Sequence, residues 1–177
     1  MSLTIELPAQ YGYVFGTVTA LFFVNTYHSL LTGSYRKAAK VAYPNCYASA
    51  EQAAKEPAAF QFNCAQRAHA NFVENLPPII ATIFIAGIKF PVLSASLGAA
   101  WAVSRVLYAR GYTRNGPKGR FMSVISFPST SATRASLRRF RDGHTLTPRS
   151  GATHSLFGLA LSILSGYTAY SFIKTLW

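Results

Sequence analysis

The chain has 177 residues, of which 50% are hydrophobic and 12% are charged, whereas charged residues make up about a quarter of an average soluble domain. Lysine and arginine outnumber aspartate and glutamate by 17 to 5, which gives a formal charge of +12. In a soluble domain such an excess would favour nucleic acid as the partner. The high apolar content argues against that class and favours the anionic surface of a membrane.

The first predicted element is a membrane span over residues 11–31. The segment before it lacks the positively charged region of a cleaved signal peptide, so we expect this span to act as its own insertion signal. Cys46 and Cys64 follow, too far apart for a CxxC motif, and no histidine or cysteine spacing is typical of zinc. No metal site is therefore predicted, and a disulfide is left open.

Three further spans are predicted over residues 68–88, 91–112 and 156–176. Each is long enough to cross about 30 Å of hydrocarbon as a helix, the structure that satisfies its own backbone hydrogen bonds in lipid. The Phe90-Pro91 step separates the second span from the third by a tight reversal, so spans two and three are predicted to form an antiparallel hairpin. The fold class predicted is an all-α, integral membrane four-helix bundle that forms a single domain over residues 1–177.

Residues 127–155 interrupt this pattern, because they are polar, rich in serine, threonine and arginine, and without periodicity. Their composition is typical of disorder. Two interpretations stay open at this point. The segment is either a cytosolic loop or an insertion that splits the beginning of the fourth span.

The distribution of cations predicts the orientation. Basic residues concentrate in the segments between spans one and two and between spans three and four. By the positive-inside rule both segments face the cytosol, and both termini lie on the other side of the membrane.

Two sets of polar residues are predicted to meet at the cytosolic end of the hairpin. Each set falls on one face of its helix, at i, i+4, i+7 in span two and at i, i+3, i+7 in span three: Arg67, Asn71 and Glu74, then Arg105, Tyr108 and Tyr112. Charges at membrane depth are costly and normally face a partner or a cavity. The alternatives are a polar pocket or an internal ion pair of Glu74 with Arg67 or Arg105, and the tyrosines can equally be anchors at the membrane interface.

The chemistry of these side chains suits a zwitterionic, peptide-like ligand. Arginine binds carboxylates, glutamate binds an ammonium group and asparagine bonds an amide. Surrounding cations would also lower the pKa of a bound thiol from its usual value of about 8.5. The spacing alone does not distinguish glutathione from other small anions.

Three stretches, "YPNCY", "FNCAQRAHANFVENLPP" and "SRVLYARGYTRNGPKGR", resemble the MAPEG family, the membrane-associated proteins in eicosanoid and glutathione metabolism. The resemblance covers nearly the whole chain and is strongest to the branch of the third type of microsomal glutathione transferase. It implies a homotrimer in the endoplasmic reticulum membrane, with lumenal termini and with glutathione bound between subunits near the cytosolic face.

The resemblance also implies roles for individual residues. Arg120 matches the arginine that stabilises the glutathione thiolate, with a one-residue gap in the alignment. Asn75 and Leu76 stand where several relatives carry an aromatic residue, and the polar segment follows Arg120 where the family moves directly into the fourth span. The residues that match the family's glutathione site are Arg36, Arg67, His69, Asn71, Glu74, Tyr108 and Tyr112.

The function implied by the resemblance is that of a glutathione transferase or peroxidase with possible leukotriene C synthase-like activity. Glutathione would be the co-substrate, without a metal, and a lipophilic electrophile or lipid hydroperoxide would arrive from the bilayer. The alternative is a non-catalytic, lipid-binding membrane scaffold like the lipoxygenase-activating protein. The joint presence of Arg67, Glu74, Tyr108 and Arg120 favours the enzyme.

Overall fold

The computed structural model describes residues 6–121 and 152–174. This part of the chain contains helices and no strand. A short 3₁₀ turn, Ala9–Tyr11, leads into α1, and a second 3₁₀ segment, Gly116–Phe121, follows α4. The helices are α1 (Gly12–Ala38), α2 (Ala50–Lys55), α3 (Pro57–Lys89), α4 (Pro91–Asn115) and α5 (Ala152–Lys174).

Local chemistry sets where these helices begin. Pro57 and Pro91 occupy the first position of α3 and α4, where the missing proline N–H costs nothing and φ is already helical. The side chain of Ser49 accepts a hydrogen bond from the backbone N–H of Gln52 and caps α2. Phe90 alone connects α3 to α4, with φ −130° and ψ 63°. The predicted hairpin of spans two and three is therefore confirmed.

Within the described residues, four helical segments are long and apolar enough to cross a membrane: Ala9–Ala38, Pro57–Lys89, Pro91–Gly119 and Leu156–Lys174. The predicted class of an all-α, membrane-spanning four-helix bundle is confirmed. The helices extend beyond the predicted spans, most clearly where α3 begins at residue 57 instead of 68. Hydropathy detects only the part of a helix that crosses hydrocarbon, whereas the helix itself continues into polar surroundings.

The predicted polar segment, residues 127–155, lies outside the described residues as far as residue 151. Its last four residues are helical, because α5 begins at Ala152. The part of this helix that is apolar enough to cross a membrane begins at Leu156, the residue at which the fourth span was predicted to begin. The first turn of a helix need not be apolar. Composition therefore detected only the apolar run of α5, which starts with Leu156.

Contacts between helices establish an up-and-down arrangement. The hydroxyl of Tyr11 donates to the carbonyl of Phe84 at 2.9 Å, and Lys89 Nζ lies 4.6 Å from the ring centroid of Tyr167. The beginning of α1 and the second half of α5 therefore lie at the hairpin end of the bundle, beside Phe90. The opposite end, where α1 and α4 finish and α3 begins, is called the basic end below.

Small residues bring α1, α3 and α4 close together. A Cβ atom at Gly98 of α4 would lie 2.7 Å from Ile83 Cδ1 and 2.8 Å from Thr17 Cγ2. Hydroxyl groups reinforce the approach, since Thr17 donates to the carbonyl of Ala95 at 3.2 Å and Ser94 donates to that of Ile83 at 2.7 Å. Close backbone approach at small residues and interhelical hydroxyl bonds are typical of packing in lipid.

The contact at Gly98 predicts a stability effect. Gly98→Leu should lower the free energy of unfolding by about 1–3 kcal/mol, because the added side chain overpacks the junction of three helices. The matched control is Gly16→Leu, since nothing lies within 4 Å of a Cβ atom added at Gly16. The measurement is the thermal midpoint of the purified protein in detergent. Equal midpoints for the two variants would contradict this account of the packing.

Candidate functional site

The two polar stripes predicted from the sequence meet at one point between α3 and α4. Arg105 Nη2 donates a hydrogen bond to Asn71 Oδ1 at 2.9 Å. Asn75 Nδ2 donates to the backbone carbonyl of Asn71 at 2.7 Å, one turn further along α3. The Asn71 position is therefore held both through its side chain and through its main chain.

Arg67 and Glu74 form an ion pair on the outer face of the same helix. Arg67 Nη1 lies 3.1 Å from Glu74 Oε1, and the two side chains are 52% and 54% exposed. Of the alternatives left open by the sequence, an ion pair of Glu74 with Arg67 is thus present. Because both side chains are half exposed, the pair faces away from the core of the bundle, on a helix that can span a membrane.

Arg105 lies in the opposite environment, fully buried inside the bundle. Its guanidinium carbon is 4.7 Å from the ring centroid of Tyr108, 5.7 Å from that of Trp101 and 6.0 Å from that of Phe72. Aromatic faces attract a cation electrostatically. Three rings and one amide oxygen therefore surround this charge.

The two tyrosines of α4 lie next to this guanidinium. Tyr108 is buried, Tyr112 is half-buried, and their rings stack with centroids 5.5 Å apart. Burial of Tyr108 disfavours the interpretation of that residue as an exposed anchor at the membrane interface. Arg67 lies in the same neighbourhood, near both Tyr108 and Tyr47.

Tyr47 is the residue near this site that the sequence analysis did not single out. It lies in the connection between α1 and α2, and the side-chain amide of Asn63 holds that connection by bonding Ala48. Asn63 Oδ1 accepts from the Ala48 N–H at 2.8 Å, and Asn63 Nδ2 donates to the Ala48 carbonyl at 3.0 Å. Tyr47 ends the stretch "YPNCY" that contributed to the family resemblance, but neither periodicity nor hydropathy reports the path of a connection, so neither placed Tyr47 near Arg67.

His69 does not join the Arg67 stripe. Two residues along an α-helix correspond to a rotation of about 200°, and the ring of His69 lies 5.9 Å from that of His28 on α1. His28 is buried and stacks on Phe72 at 4.6 Å. The geometry around His69 is that of helix packing between α1 and α3.

Arg36 lies at the basic end, in the last turn of α1. Its guanidinium carbon is 4.4 Å from the ring centroid of Tyr43 and 4.6 Å from that of Phe62, and Nη1 donates to the carbonyl of Asn45 at 2.6 Å. These contacts connect α1, the following loop and α3. Arg36 also lines a cavity of about 330 Å³ together with Lys37 and Lys40.

The structure describes the backbone around Arg120, and its side chain lies outside the described part. Residue 120 belongs to the 3₁₀ segment Gly116–Phe121, directly after α4 at the basic end. Gly116 makes this turn with φ 62°, a conformation that glycine adopts without strain. A Cβ atom there would lie 3.1 Å from the ring of Phe60, so the segment starts against the beginning of α3.

A cavity of about 340 Å³ begins one residue beyond Glu74. It lies between α3, α4 and α5, and its lining is mostly apolar, with polar groups at Asn75, Thr82 and Ser162. Within α3 the same stretch contains Pro77 and Pro78, which have no N–H to offer the carbonyls of Val73 and Glu74. The cavity is lined by Asn75, Pro78, Ile79, Thr82, Trp101, Gly158, Leu159 and Ser162.

Among known protein families, the model of the MAPEG family matches residues 14–129. This range is more than half of the chain and takes in α2, α3 and α4 completely. All eight residues that the sequence analysis assigned to a glutathione site fall inside it.

The contacts of Arg36 lead to a testable prediction. Arg36→Gln should lower the free energy of unfolding by about 1–2 kcal/mol, because two cation–π contacts and one hydrogen bond to a charged donor are lost. Lys37→Gln is the matched control, an exposed cation in the same turn. Thermal unfolding in detergent measures the difference. An Arg36→Gln variant as stable as Lys37→Gln would show that these contacts contribute nothing.

Proposed function

Because the chain belongs to the MAPEG family, we propose that it is a membrane-bound glutathione transferase that also reduces lipid hydroperoxides. The observation that carries this proposal is the half-exposed ion pair of Arg67 and Glu74 on a membrane-spanning helix. An arginine and a glutamate side by side match the carboxylates and the ammonium group of glutathione. Asn71 and the two α4 tyrosines supply neutral hydrogen-bonding groups beside them.

A second subunit completes the site in this proposal. A charge facing hydrocarbon costs about 2.5–3.5 kcal/mol at the centre of a membrane helix on insertion scales, so a face with two half-exposed charges is covered by protein. The family suggests a homotrimer, in which glutathione lies between neighbouring subunits. Its carboxylates bind Arg36 and Arg67, and its amino group lies near Glu74.

Arg120 is the proposed catalytic residue. A cation close to the sulfur lowers the thiol pKa and keeps glutathione as the thiolate, which is the nucleophile. With an epoxide, the sulfur forms a bond to carbon, the ring C–O bond breaks, and the alkoxide takes up a proton. With a hydroperoxide, the sulfur attacks the terminal oxygen and the O–O bond breaks, which oxidises glutathione to its sulfenic acid, while the leaving alkoxide takes up a proton to give the lipid alcohol. A second glutathione then yields the disulfide and water.

The lipophilic partner enters from the bilayer through the cavity between α3, α4 and α5. Asn75 lines that cavity and its Nδ2 donates to the carbonyl of Asn71, so this end of the cavity adjoins the proposed glutathione site. The basic end of the bundle faces the cytosol, both termini are lumenal, and the membrane is that of the endoplasmic reticulum. The excess of cations at the basic end supports this orientation.

The test is glutathione binding by the purified, detergent-solubilised protein, with the thiolate followed by its ultraviolet absorbance. Saturable binding with thiolate formation at neutral pH is expected. Binding without thiolate would contradict activation by Arg120. Lipid binding without any glutathione binding would overturn the enzyme and favour the non-catalytic scaffold.

A single substitution separates thiolate stabilisation from glutathione binding. Arg120→Ala should lower turnover at least tenfold, because the thiolate loses its counter-charge, while glutathione affinity changes less than threefold. Lys118→Ala is the control, since it removes an exposed cation from the same 3₁₀ segment. The measurements are steady-state kinetics and calorimetric titration with glutathione. Equal losses of turnover and affinity would rule out the thiolate role.

A further inference from the structure

Arg105 is not among the residues assigned to glutathione binding. It nevertheless determines the orientation of one of them, Asn71. A guanidinium carries five N–H donors and no acceptor, and its Nη2 lies 2.9 Å from Asn71 Oδ1. The amide oxygen of Asn71 must therefore face Arg105. The NH₂ group of Asn71 then points to the other side, away from the buried arginine.

No other orientation of the Asn71 amide is compatible with Arg105. Rotating the amide by half a turn would place two donors against a buried cation, at the cost of an unsatisfied charge. Glu74 is engaged with Arg67 on the outer face. Within the described part of the chain, Arg105 Nε and Nη1 have no hydrogen-bond partner, so the bond to Asn71 is the polar contact that this charge depends on.

The same guanidinium contacts a second residue of the proposed site. It lies 4.7 Å from the ring centroid of Tyr108, whose ring stacks on Tyr112. One buried charge thus fixes a side chain of α3 and a side chain of α4 relative to each other. A residue that served only to fill space would not need to be charged, since burying a charge in a membrane span is costly.

We propose that Arg105 is a positioning residue that makes Asn71 a hydrogen-bond donor towards the ligand. Asn71 Nδ2 then selects a carbonyl or carboxylate oxygen, such as those of the glutathione backbone, and discriminates against a donor group at the same place. This inference rests on the proposed function, because it assigns the polarity of one contact within the glutathione site.

Four variants test the proposal: Arg105→Met, Asn71→Ala, the double variant of the two, and Arg105→Lys. Arg105→Met and Asn71→Ala should each lower glutathione affinity about tenfold, the value of one hydrogen bond at a desolvated site. The double variant should lose no more than either single variant, because both changes remove the same contact. Arg105→Lys should retain most of the affinity, since a lysine is also only a donor and orients the amide in the same way.

The readouts are the dissociation constant of glutathione by calorimetry and the separate KM values of glutathione and the electrophile. A positioning role raises the KM of glutathione and leaves that of the electrophile unchanged, whereas general loosening of the bundle affects both. Arg110→Met is the matched control, an exposed arginine on the same helix, and it should bind glutathione like the unaltered protein.

A further variant covers the case in which Arg105→Met does not fold. Asn71→Asp keeps an oxygen for Arg105 and loses the NH₂ donor, so the bundle should stay stable while glutathione affinity falls at least tenfold. Unchanged affinity in Asn71→Asp, or additive losses in the double variant, would overturn the inference while leaving glutathione binding intact. Failure of the unaltered protein to bind glutathione would overturn the proposed function itself.

Discussion

The cost of a charge at membrane depth governs how α3 and α4 pack against each other. Arg105 and Arg67 are both in helices that can span a membrane, and the protein accommodates them in two different ways. Arg105 is buried among three aromatic rings and bonded to Asn71, whereas Arg67 is paired with Glu74 on the outer face. The buried arginine joins α3 to α4, and the ion pair leaves a polar face that the four-helix bundle does not cover.

The hairpin of α3 and α4 makes the bond between Arg105 and Asn71 possible. Phe90 alone separates α3 from α4, so there is almost no freedom in how far the two helices slide along each other. The close contact of Gly98 with Ile83 and Thr17 fixes the same register halfway along α4. Asn71 and Arg105 consequently reach the same depth, and a hydrogen bond forms between residues that are far apart in sequence.

Much of this arrangement could be predicted from the sequence. The contacts that could not be predicted share one physical reason. Hydropathy identifies spans because each crosses the same thickness of hydrocarbon, and helical periodicity places Arg67, Asn71 and Glu74 on one stripe. The contacts of Arg36 with two rings, the approach of Tyr47 to Arg67 and the pairing of His69 with His28 depend on how separate elements meet. Periodicity describes one helix at a time, so it cannot report which neighbour a side chain finds. A charge in a span signals that a partner exists, but the sequence offered Glu74 as the partner of Arg105, whereas the structure gives Asn71.

The position of Glu74 can now be understood in terms of α3 alone. The surroundings of α3 change at Glu74. The polar residues Arg67 and Asn71 precede it, and the residues that line the mostly apolar cavity follow from Asn75 onward. Pro77 and Pro78 come immediately after and remove the helix hydrogen bonds to the carbonyls of Val73 and Glu74. Polar acceptors are therefore available at the boundary between the two regions. In the proposed reaction a water-soluble thiol and a lipid-soluble electrophile must meet, and this boundary is where a single helix offers a polar surface to one and an apolar surface to the other.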